Sequence, residues 1–252
     1  MSEAERGRRT VEDADTVAYF DEHVPEYSTG RLDFPAEFIT RHRAANSAIV
    51  DIGCGAGNTL AHLRDTTGIQ DLCGIDVSER LLERTREEVP GCETHLGSIL
   101  DERLVATIGQ RFDFAVIAAV LHHLIGRTRR ESHRQAAQAV HNALALLRPG
   151  GHLIVVDEGF SPSLAVDALF YVKKAVTRVT SRRVGLFGYW NNIGPPVVSY
   201  YTNDELFELV AASGRTVLVA SRIEPEELSR PAGLALCKAN TTIIARKDGQ
   251  QY

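Results

Sequence analysis

Apolar and polar positions alternate regularly along the chain from about residue 48. Five short apolar runs, rich in Val and Ile, are separated by amphipathic segments: residues 48–52, 71–77, 92–98, 112–119 and 152–158. Nearly continuous apolar character is typical of strands that are covered on both faces. The alternation therefore predicts an α/β fold with a doubly wound, mostly parallel sheet. Two later runs, 216–224 and 236–247, are predicted to complete a seven-stranded sheet at one edge.

The segments between these runs contain boundaries typical of helices. Ser78 is a predicted N-cap after the second run, and Gly91 is a predicted stop. A helix over residues 130–147 is predicted from an apolar stripe at helical spacing: Ala137, Val140, Leu144 and Leu147. We expect it to end at Arg148, because Pro149 disfavours the helical conformation in the residue before it. The Arg-Pro-Gly-Gly stretch is then expected to turn the chain into the fifth strand.

Two segments lie outside the alternation within a predicted single domain, residues 1–252. Residues 1–47 are predicted to form a helical N-terminal lid. Residues 160–202 form a long insert after the fifth strand, and inserts of this length in compact domains often act as lids or binding elements. The insert is therefore the expected substrate cap.

The cap has two parts. Residues 161–183 are predicted as a helix with an apolar stripe: Ala165, Ala168, Leu169, Val172, Val176 and Val179. Lys174, Arg178 and Arg182 fall on another face, and a solvated face is the simplest interpretation. The alternative is contact with an acidic substrate, a carrier protein or anionic lipid, so residues 173–183 are a candidate membrane-contact segment. The following loop, 185–202, carries aromatic residues including Trp190 and forms either an apolar acceptor pocket or a cap packed on the sheet.

Composition narrows the class of protein. The 252 residues carry a formal charge of -5 at pH 7, which argues against a general nucleic-acid binder. No two of the four cysteines form a Cys-x-x-Cys pair, so no metal site is predicted. We find no secretory signal and no apolar run of about 18 residues, so a cytoplasmic protein without a transmembrane segment is expected.

The stretch Val50–Asn58, VDIGCGAGN, lies where the first strand must turn into a helix. Its glycines permit close backbone approach to a ligand, and the helix that follows has an electropositive N-terminus. Dinucleotide folds use Gly-x-Gly-x-x-Gly, but here the third glycine is Gly57 and position 58 is Asn. Asp51 precedes the loop and would repel a pyrophosphate, yet it suits a cationic ligand. Asp76, at the end of the second strand, is placed to bind a ribose diol. S-adenosylmethionine, which has no phosphate and carries an ammonium and a sulfonium, fits this combination.

At these residues the chain resembles a class I S-adenosylmethionine-dependent methyltransferase of the small-molecule type. The motifs that resemble the family are VDIGCGAGN, GIDVSERLLERTRE, FDFAVIAAVLHHL and LLRPGGHLIVVDE, within residues 48–158. The N-terminal segment YFDEHVPEYS resembles the part that closes over the cofactor in many members.

The resemblance implies a set of cofactor-binding residues. The methionine portion is expected against Asp51, Gly53, Gly55 and the carbonyl of Ala118, with Asn58 completing the loop and Asp76 on the ribose. Val77 is expected to pack on the adenine, and Tyr19 or Tyr27 to close the pocket. Many members have an acid for the adenine amino group where this chain has Ser98, so Ser98 and the amide of Ile99 are the weaker substitutes.

Candidate catalytic residues follow the fourth and fifth strands. His122 and His123 come after the fourth, and Glu158 ends the fifth, at the sheet edge where doubly wound folds bind ligands. Histidine suits proton transfer near neutral pH, but a base is needed only if the acceptor must lose a proton. The alternative for the histidines is a structural role, and for Glu158 a solvated strand end.

These observations predict methyl transfer by in-line displacement to an oxygen or nitrogen of a small-molecule or lipid-like acceptor. Methylation of proteins, carrier-bound substrates or nucleic acids is an alternative within the same reaction class. A nicotinamide-dependent oxidoreductase is disfavoured by Asp51 and Asn58, and a non-catalytic binding protein by the intact cofactor motifs. The sequence leaves the acceptor and the oligomeric state open.

Overall fold

The computed structural model describes residues 29–161, 163–179, 198–226 and 237–249. The expectations for Tyr19, Tyr27, most of the N-terminal lid and the aromatic loop around Trp190 lie outside these ranges.

Seven strands and seven α-helices make up the described part of the chain. In order, the elements are α1 (Asp33–His42), β1 (Ala48–Ile52), α2 (Asn58–Thr67), β2 (Asp71–Asp76), α3 (Glu79–Glu88), β3 (Glu93–Leu96), α4 (Glu102–Ile108), β4 (Phe112–Ala118), α5 (Arg129–Leu146), β5 (Leu147–Ser161), α6 (Ser163–Val179), α7 (Asn203–Ala211), β6 (Thr216–Glu226) and β7 (Cys237–Lys247). Short 3₁₀ helices at Thr29–Leu32 and Leu121–His123 precede α1 and follow β4.

The strands form one sheet in the order β3-β2-β1-β4-β5-β7-β6. The first five are parallel, whereas β7 runs antiparallel between β5 and β6. The predicted seven-stranded, mostly parallel, doubly wound sheet is therefore confirmed. The strand order reverses between β1 and β4, and ligands of such sheets bind in the crevice outside the carboxyl ends of the strands at this point.

Alternate residues of the central strands supply two cores, one on each face of the sheet. Ala48, Val50 and Ile52 of β1 belong to one core, and Ile49 belongs to the other. Every residue of β1 is buried, because helices cover both faces. This burial explains why the strand pattern in the sequence is continuous rather than alternating.

The helix starts follow local capping chemistry. Ser78 accepts a hydrogen bond from the amide of Leu81 at 3.1 Å, which confirms it as the N-cap of α3. Thr202 and Glu205 form a reciprocal capping box at the start of α7.

The junction of α5 and β5 differs from the expectation. The helix ends at Leu146, and Leu147 already pairs with Phe112, so Arg148 lies in the strand. The Arg-Pro-Gly-Gly stretch forms an irregularity in β5 rather than a separate turn, with Gly150 at φ 79°. The helix ends earlier than Pro149 alone requires, because buried Leu147 pairs with β4 instead of continuing the helix.

The predicted apolar stripe of the cap helix is wrong for the residues that can be compared. Ala168 and Val172 of α6 are exposed, while Val166, Phe170, Lys173 and Lys174 are buried. Lys174 donates to the carbonyl of Gly126 at 2.9 Å, so it is not on a solvated face. Lys173 and Lys174 therefore cannot belong to a membrane-contact segment, because their ammonium groups are directed into the protein. Long alkyl stems let lysines occupy a buried face that a hydropathy pattern assigns to solvent.

Arg129, at the start of α5, connects α6 and α7 to the sheet edge. Its Nη2 donates to both carboxylate oxygens of Glu205, and the guanidinium also pairs with Asp167 of α6 and donates to the carbonyl of Tyr200. Burial alone would raise the pKa of Glu205, but hydrogen bonds from His133 and the Thr202 amide, together with Arg129, lower it to about 2. Arg129 is itself buried, so this ion-pair network holds the cap helix against the domain.

Glu205→Gln is expected to lower the free energy of unfolding by about 2 kcal/mol at pH 7. A carboxylate with a lowered pKa stabilises the fold above its unfolded pKa of about 4.5, and this stabilisation is lost as the pH falls through 4.5 towards 2. Denaturant unfolding should therefore show a difference between variant and wild type that narrows from pH 6 to pH 3. Glu208→Gln, an exposed change on the same helix, serves as control; equal effects of both variants would contradict the role of the network.

Candidate active site

The glycine loop between β1 and α2 adopts a conformation that its sequence requires. Gly53, Gly55 and Gly57 have φ of 72°, 56° and 87°, a region that residues with a Cβ rarely adopt. A Cβ on Gly53 would also meet Val120 at 2.5 Å. The loop therefore lies against the end of β4, on the side where the strand order reverses, and presents backbone rather than side chains.

Asp76 fixes this loop to the end of β2. Its Oδ2 accepts from the amide of Gly55 at 2.9 Å, and its Oδ1 accepts from the amide of Ser78 at 3.0 Å. Asp76 is only 8% exposed, and these charge-assisted hydrogen bonds offset the free-energy cost of burying its charge. Asp76 thus lies in the crevice as expected, and it also holds the loop.

Asp51 lies next to Asp76 in the same crevice and is 1% exposed. Its Oδ2 accepts no hydrogen bond from the part of the chain that the structure describes. Burial, and then the negative charge of Asp76, raise the pKa of Asp51 to about 7, against the opposing charge of Arg31. A buried carboxylate oxygen without a donor is costly, and a cationic ligand with N–H groups would satisfy it.

The remaining predicted cofactor residues line the same edge of the sheet. Val77 is 40% exposed, and Leu96 at the end of β3 is 52% exposed, so two apolar side chains lie open where β2 and β3 end. Ser98 accepts from the amide of Leu100 at 3.2 Å, and the side chain of Ile99 is buried. Asn58 occupies the first turn of α2, and Ala118 ends β4. Leu96 was not among the sequence candidates, although its position before Gly97 indicates the strand end.

The end of β4 carries local backbone strain. Ala119 has φ 57° and is the one residue other than glycine with positive φ in the described ranges. Its amide donates to the carbonyl of Val156 at 2.7 Å, which holds the turn against β5. Strained residues of this kind cluster at functional sites, and this one leads directly into the 3₁₀ helix Leu121–His123.

His122 and Asp157 form a buried pair beyond this turn. His122 Nδ1 lies 2.5 Å from Asp157 Oδ1, and Asp157 also accepts from the amides of Leu121 and Glu158. Burial alone would lower the pKa of His122, but the charge of Asp157, its hydrogen bond and Glu158 raise it above the ordinary value. The hydrogen bond to Asp157 therefore holds the ring of His122 in one orientation and raises its pKa.

His123 has the opposite electrostatic environment. Burial, the neighbouring His122 and the ammonium of Lys173 keep its pKa well below the ordinary value. The two histidine rings are 4.0 Å apart. At neutral pH His123 is therefore unprotonated although weakly basic, and it stays the candidate base because Asp157 holds the ring of His122.

Lys173 of the cap helix lies close to His123 and Tyr200. The hydropathy pattern of the helix did not predict this position. Lys173 is 1% exposed, and its Nζ lies 4.9 Å from the ring centroid of Tyr200. Burial lowers the pKa of Lys173 to about 8, although Glu158 opposes this. Glu158 itself pairs with Lys238 at 2.7 Å. Lys173 and Lys174 are adjacent in the sequence, and the sequence pattern of the helix does not indicate that they are buried.

Comparisons with known proteins agree with this geometry. Residues 50–153 match the family model described as a methyltransferase domain. The chain is 28% identical over 149 residues to dTDP-3-amino-3,4,6-trideoxy-α-D-glucopyranose N,N-dimethyltransferase of Streptomyces venezuelae, which covers 59% of this chain and 57% of the relative. It is 30% identical over 105 residues to nodulation protein S of Sinorhizobium fredii, covering 42% of this chain and 44% of the relative. The chain thus spans about half the length of the curated relatives it matches.

Solved structures share the fold. The N-methyltransferase NodS of Bradyrhizobium japonicum, in complex with S-adenosylhomocysteine, superposes with a TM-score of 0.56 at 16% identity, covering 92% of this chain and 98% of that one. A SAM-dependent methyltransferase of Methanosarcina mazei superposes with a TM-score of 0.57 at 19% identity, covering 84% and 98%. The match over residues 50–153 thus indicates a methyltransferase domain, and the described fold is similar to that of S-adenosylmethionine-dependent methyltransferases. No helix in the described ranges is long and apolar enough to cross a membrane.

Asp51→Asn is expected to stabilise the ligand-free protein by about 2 kcal/mol at pH 8. Because the folded state raises the pKa of Asp51 from 3.8 to about 7, wild type loses stability as the pH rises through this interval, and the variant does not. Thermal melts from pH 4 to pH 8 measure the difference, which should be near zero at pH 4. Asp248→Asn, at an exposed position, is the control; a destabilised Asp51→Asn variant at pH 8 would contradict the assignment.

Proposed function

We propose that the protein binds S-adenosylmethionine in the crevice at the carboxyl ends of β1, β2 and β4 and methylates a nitrogen or oxygen of a small-molecule acceptor. The observation that carries this proposal is the buried Asp51 oxygen without a donor, next to a backbone-lined glycine loop. A phosphate ligand would be repelled there by Asp51 and Asp76, whereas an ammonium group would complete the hydrogen bonding.

The residues present fit the cofactor. Asp51 and the glycine loop suit the methionine portion, and Asp76, a carboxylate at the end of β2 that binds the loop amide of Gly55, suits a ribose diol. Exposed Val77 and Leu96 offer an apolar surface for the adenine ring. Ser98 supplies the polar group on that side. When bound, the cofactor supplies an activated methyl group and its own leaving group.

The chain then has to position the acceptor, exclude water and hold a proton. His123 is the candidate proton acceptor at an imidazole nitrogen, because it is neutral at physiological pH. Because its pKa is lowered, His123 becomes protonated only in the acidic range. His122 positions the adjacent backbone through Asp157, since the same carboxylate binds the Leu121 amide. Glu158 is engaged by Lys238, so we assign it to shaping the site rather than to proton transfer.

Nitrogen is the favoured acceptor atom within this proposal. Two of the curated relatives are named as N,N-dimethyltransferases of dTDP-linked amino sugars, and NodS is named as an N-methyltransferase. An amine must be unprotonated to attack, and a neutral His123 can accept a hydrogen bond from the N–H of such an amine. We therefore place small amines and amino sugars before hydroxyl compounds as acceptors.

Calorimetric titration with S-adenosylhomocysteine tests the cofactor assignment. Wild type should bind one molecule, and Asp76→Asn should bind about 1–3 kcal/mol more weakly, because charge-assisted bonds are lost. Glu83→Gln on the exposed face of α3 removes the same charge and should bind as wild type does. No binding by wild type would refute the proposed function, and an unchanged affinity of Asp76→Asn would refute the ribose assignment alone.

His123→Asn is expected to lower kcat by about 10²-fold or more while the affinity for S-adenosylhomocysteine is unchanged. Transfer of a labelled methyl group to a panel of amines, amino sugars and hydroxyl compounds first identifies an acceptor, with protein and RNA as further substrates. The loss of rate that protonation of His123 causes should fall below pH 6.5, because the pKa of His123 lies well below the ordinary value. In Lys173→Met the acidic limb should move to higher pH, because a neighbouring positive charge is removed. Full activity of His123→Asn would exclude it as the base.

A further inference from the structure

The edge of the sheet at β2 and β3 carries three potential metal ligands outside the crevice. Cys73 of β2 and Glu93 and His95 of β3 have their ligand atoms within 4.8 Å of one another. Cys73 and Glu93 are register partners, and Glu93 and His95 are two residues apart on one strand. Side chains at i and i+2 share a face, so all three are directed to the same side of the sheet.

We infer that Cys73, Glu93 and His95 form a binding site for a zinc-like divalent cation. A thiolate, a carboxylate and an imidazole are the donors that tetrahedral zinc sites use, with water as a fourth ligand where only three protein ligands are available. The three side chains grade from buried Cys73 through partly buried His95 to exposed Glu93. The site is therefore open to solvent on one side, which gives the ion an entry path.

The existing contacts define where the ion would bind. His95 Nε2 lies 2.7 Å from Glu93 Oε1, and the ion takes the place of the proton that these two atoms share. His95 then carries its proton on Nδ1, and Cys73 Sγ releases its proton to solvent. Arg111 binds the other carboxylate oxygen, Oε2, and can stay in place as an outer partner.

Charge balance supports a divalent cation. Arg111 also lies 3.7 Å from Asp71 at the start of β2. With Cys73 as thiolate, the three anions Cys73, Glu93 and Asp71 exceed the one cation Arg111 by two charges. A divalent ion neutralises this excess, whereas a monovalent ion leaves it half compensated.

The expected consequence is a sheet edge whose two strands are joined by metal coordination. β3 is a four-residue edge strand, and it leads through Gly97, whose amide donates to the carbonyl of Asp76, into Ser98. A metal ion that joins β2 to β3 would stabilise this edge by mass action. The inference does not depend on the proposed function, because none of the three ligands is among the crevice residues.

Titration of the untagged, chelator-treated protein with zinc and with cobalt(II) tests the site. We expect one ion per chain, a thiolate-to-cobalt charge-transfer band in the near ultraviolet, and a higher melting temperature with zinc. His95→Gln, a partly exposed change that leaves the core intact, should weaken zinc binding by about 100-fold. Cys73→Ser should abolish the charge-transfer band, with circular dichroism as the check on folding.

Two thiol variants serve as matched controls. Cys92 packs against the opposite core, and Cys237 is exposed on β7, so Cys92→Ser and Cys237→Ser should bind zinc as wild type does. Absence of the cobalt band in wild type would overturn the inference. So would zinc affinity that is unchanged in both His95→Gln and Cys73→Ser, because the ion would then bind elsewhere.

Discussion

Two buried carboxylates at the ends of neighbouring parallel strands are the constraint on which the site depends. Asp51 and Asp76 share one crevice, where burial and mutual repulsion disfavour charge on both. Asp76 is compensated by two backbone amides, one of which belongs to the glycine loop. Within the described part of the chain no donor reaches Asp51 Oδ2, and the charge of Arg31 only partly opposes the rise in the pKa of Asp51. In the proposed function, the ammonium group of the cofactor supplies the donor for this carboxylate and thereby contributes to binding free energy.

A third buried carboxylate, Asp157, lies in β5 and has a different environment. Asp157 is as buried as Asp51, but it accepts from His122 and two backbone amides and is fully compensated. Its charge and its hydrogen bond raise the pKa of His122, whereas burial, then His122 and Lys173, lower the pKa of His123. Two adjacent histidines of the same sequence motif thereby have pKa shifts of opposite direction.

Ion pairs, together with buried Val166 and Phe170, hold the cap helix against the domain. Arg129 binds Asp167 of α6 and Glu205 of α7, and Lys174 binds a backbone carbonyl near the start of α5. Because these contacts are long-range and polar, hydropathy along α6 gave the wrong buried face. The same contacts bring Lys173 next to Tyr200, so the helix that was expected to meet solvent or lipid instead supplies a charge to the site.

The sequence by itself determined the sheet, the glycine loop and the acids at the ends of β1 and β2. These depend on local rules: continuous apolar runs, glycines at positive φ and a residue at the end of a strand. Only the tertiary structure decided that Asp51 Oδ2 has no donor among the described residues and that the pKa shifts of His122 and His123 are opposite in direction. It also decided that Cys73 faces Glu93 and His95. Each of these depends on the distance between strands or helices that are far apart in the chain. The pKa of a side chain and its affinity for a metal depend on such neighbours. Residues that are neighbours across a sheet have no fixed separation along the sequence.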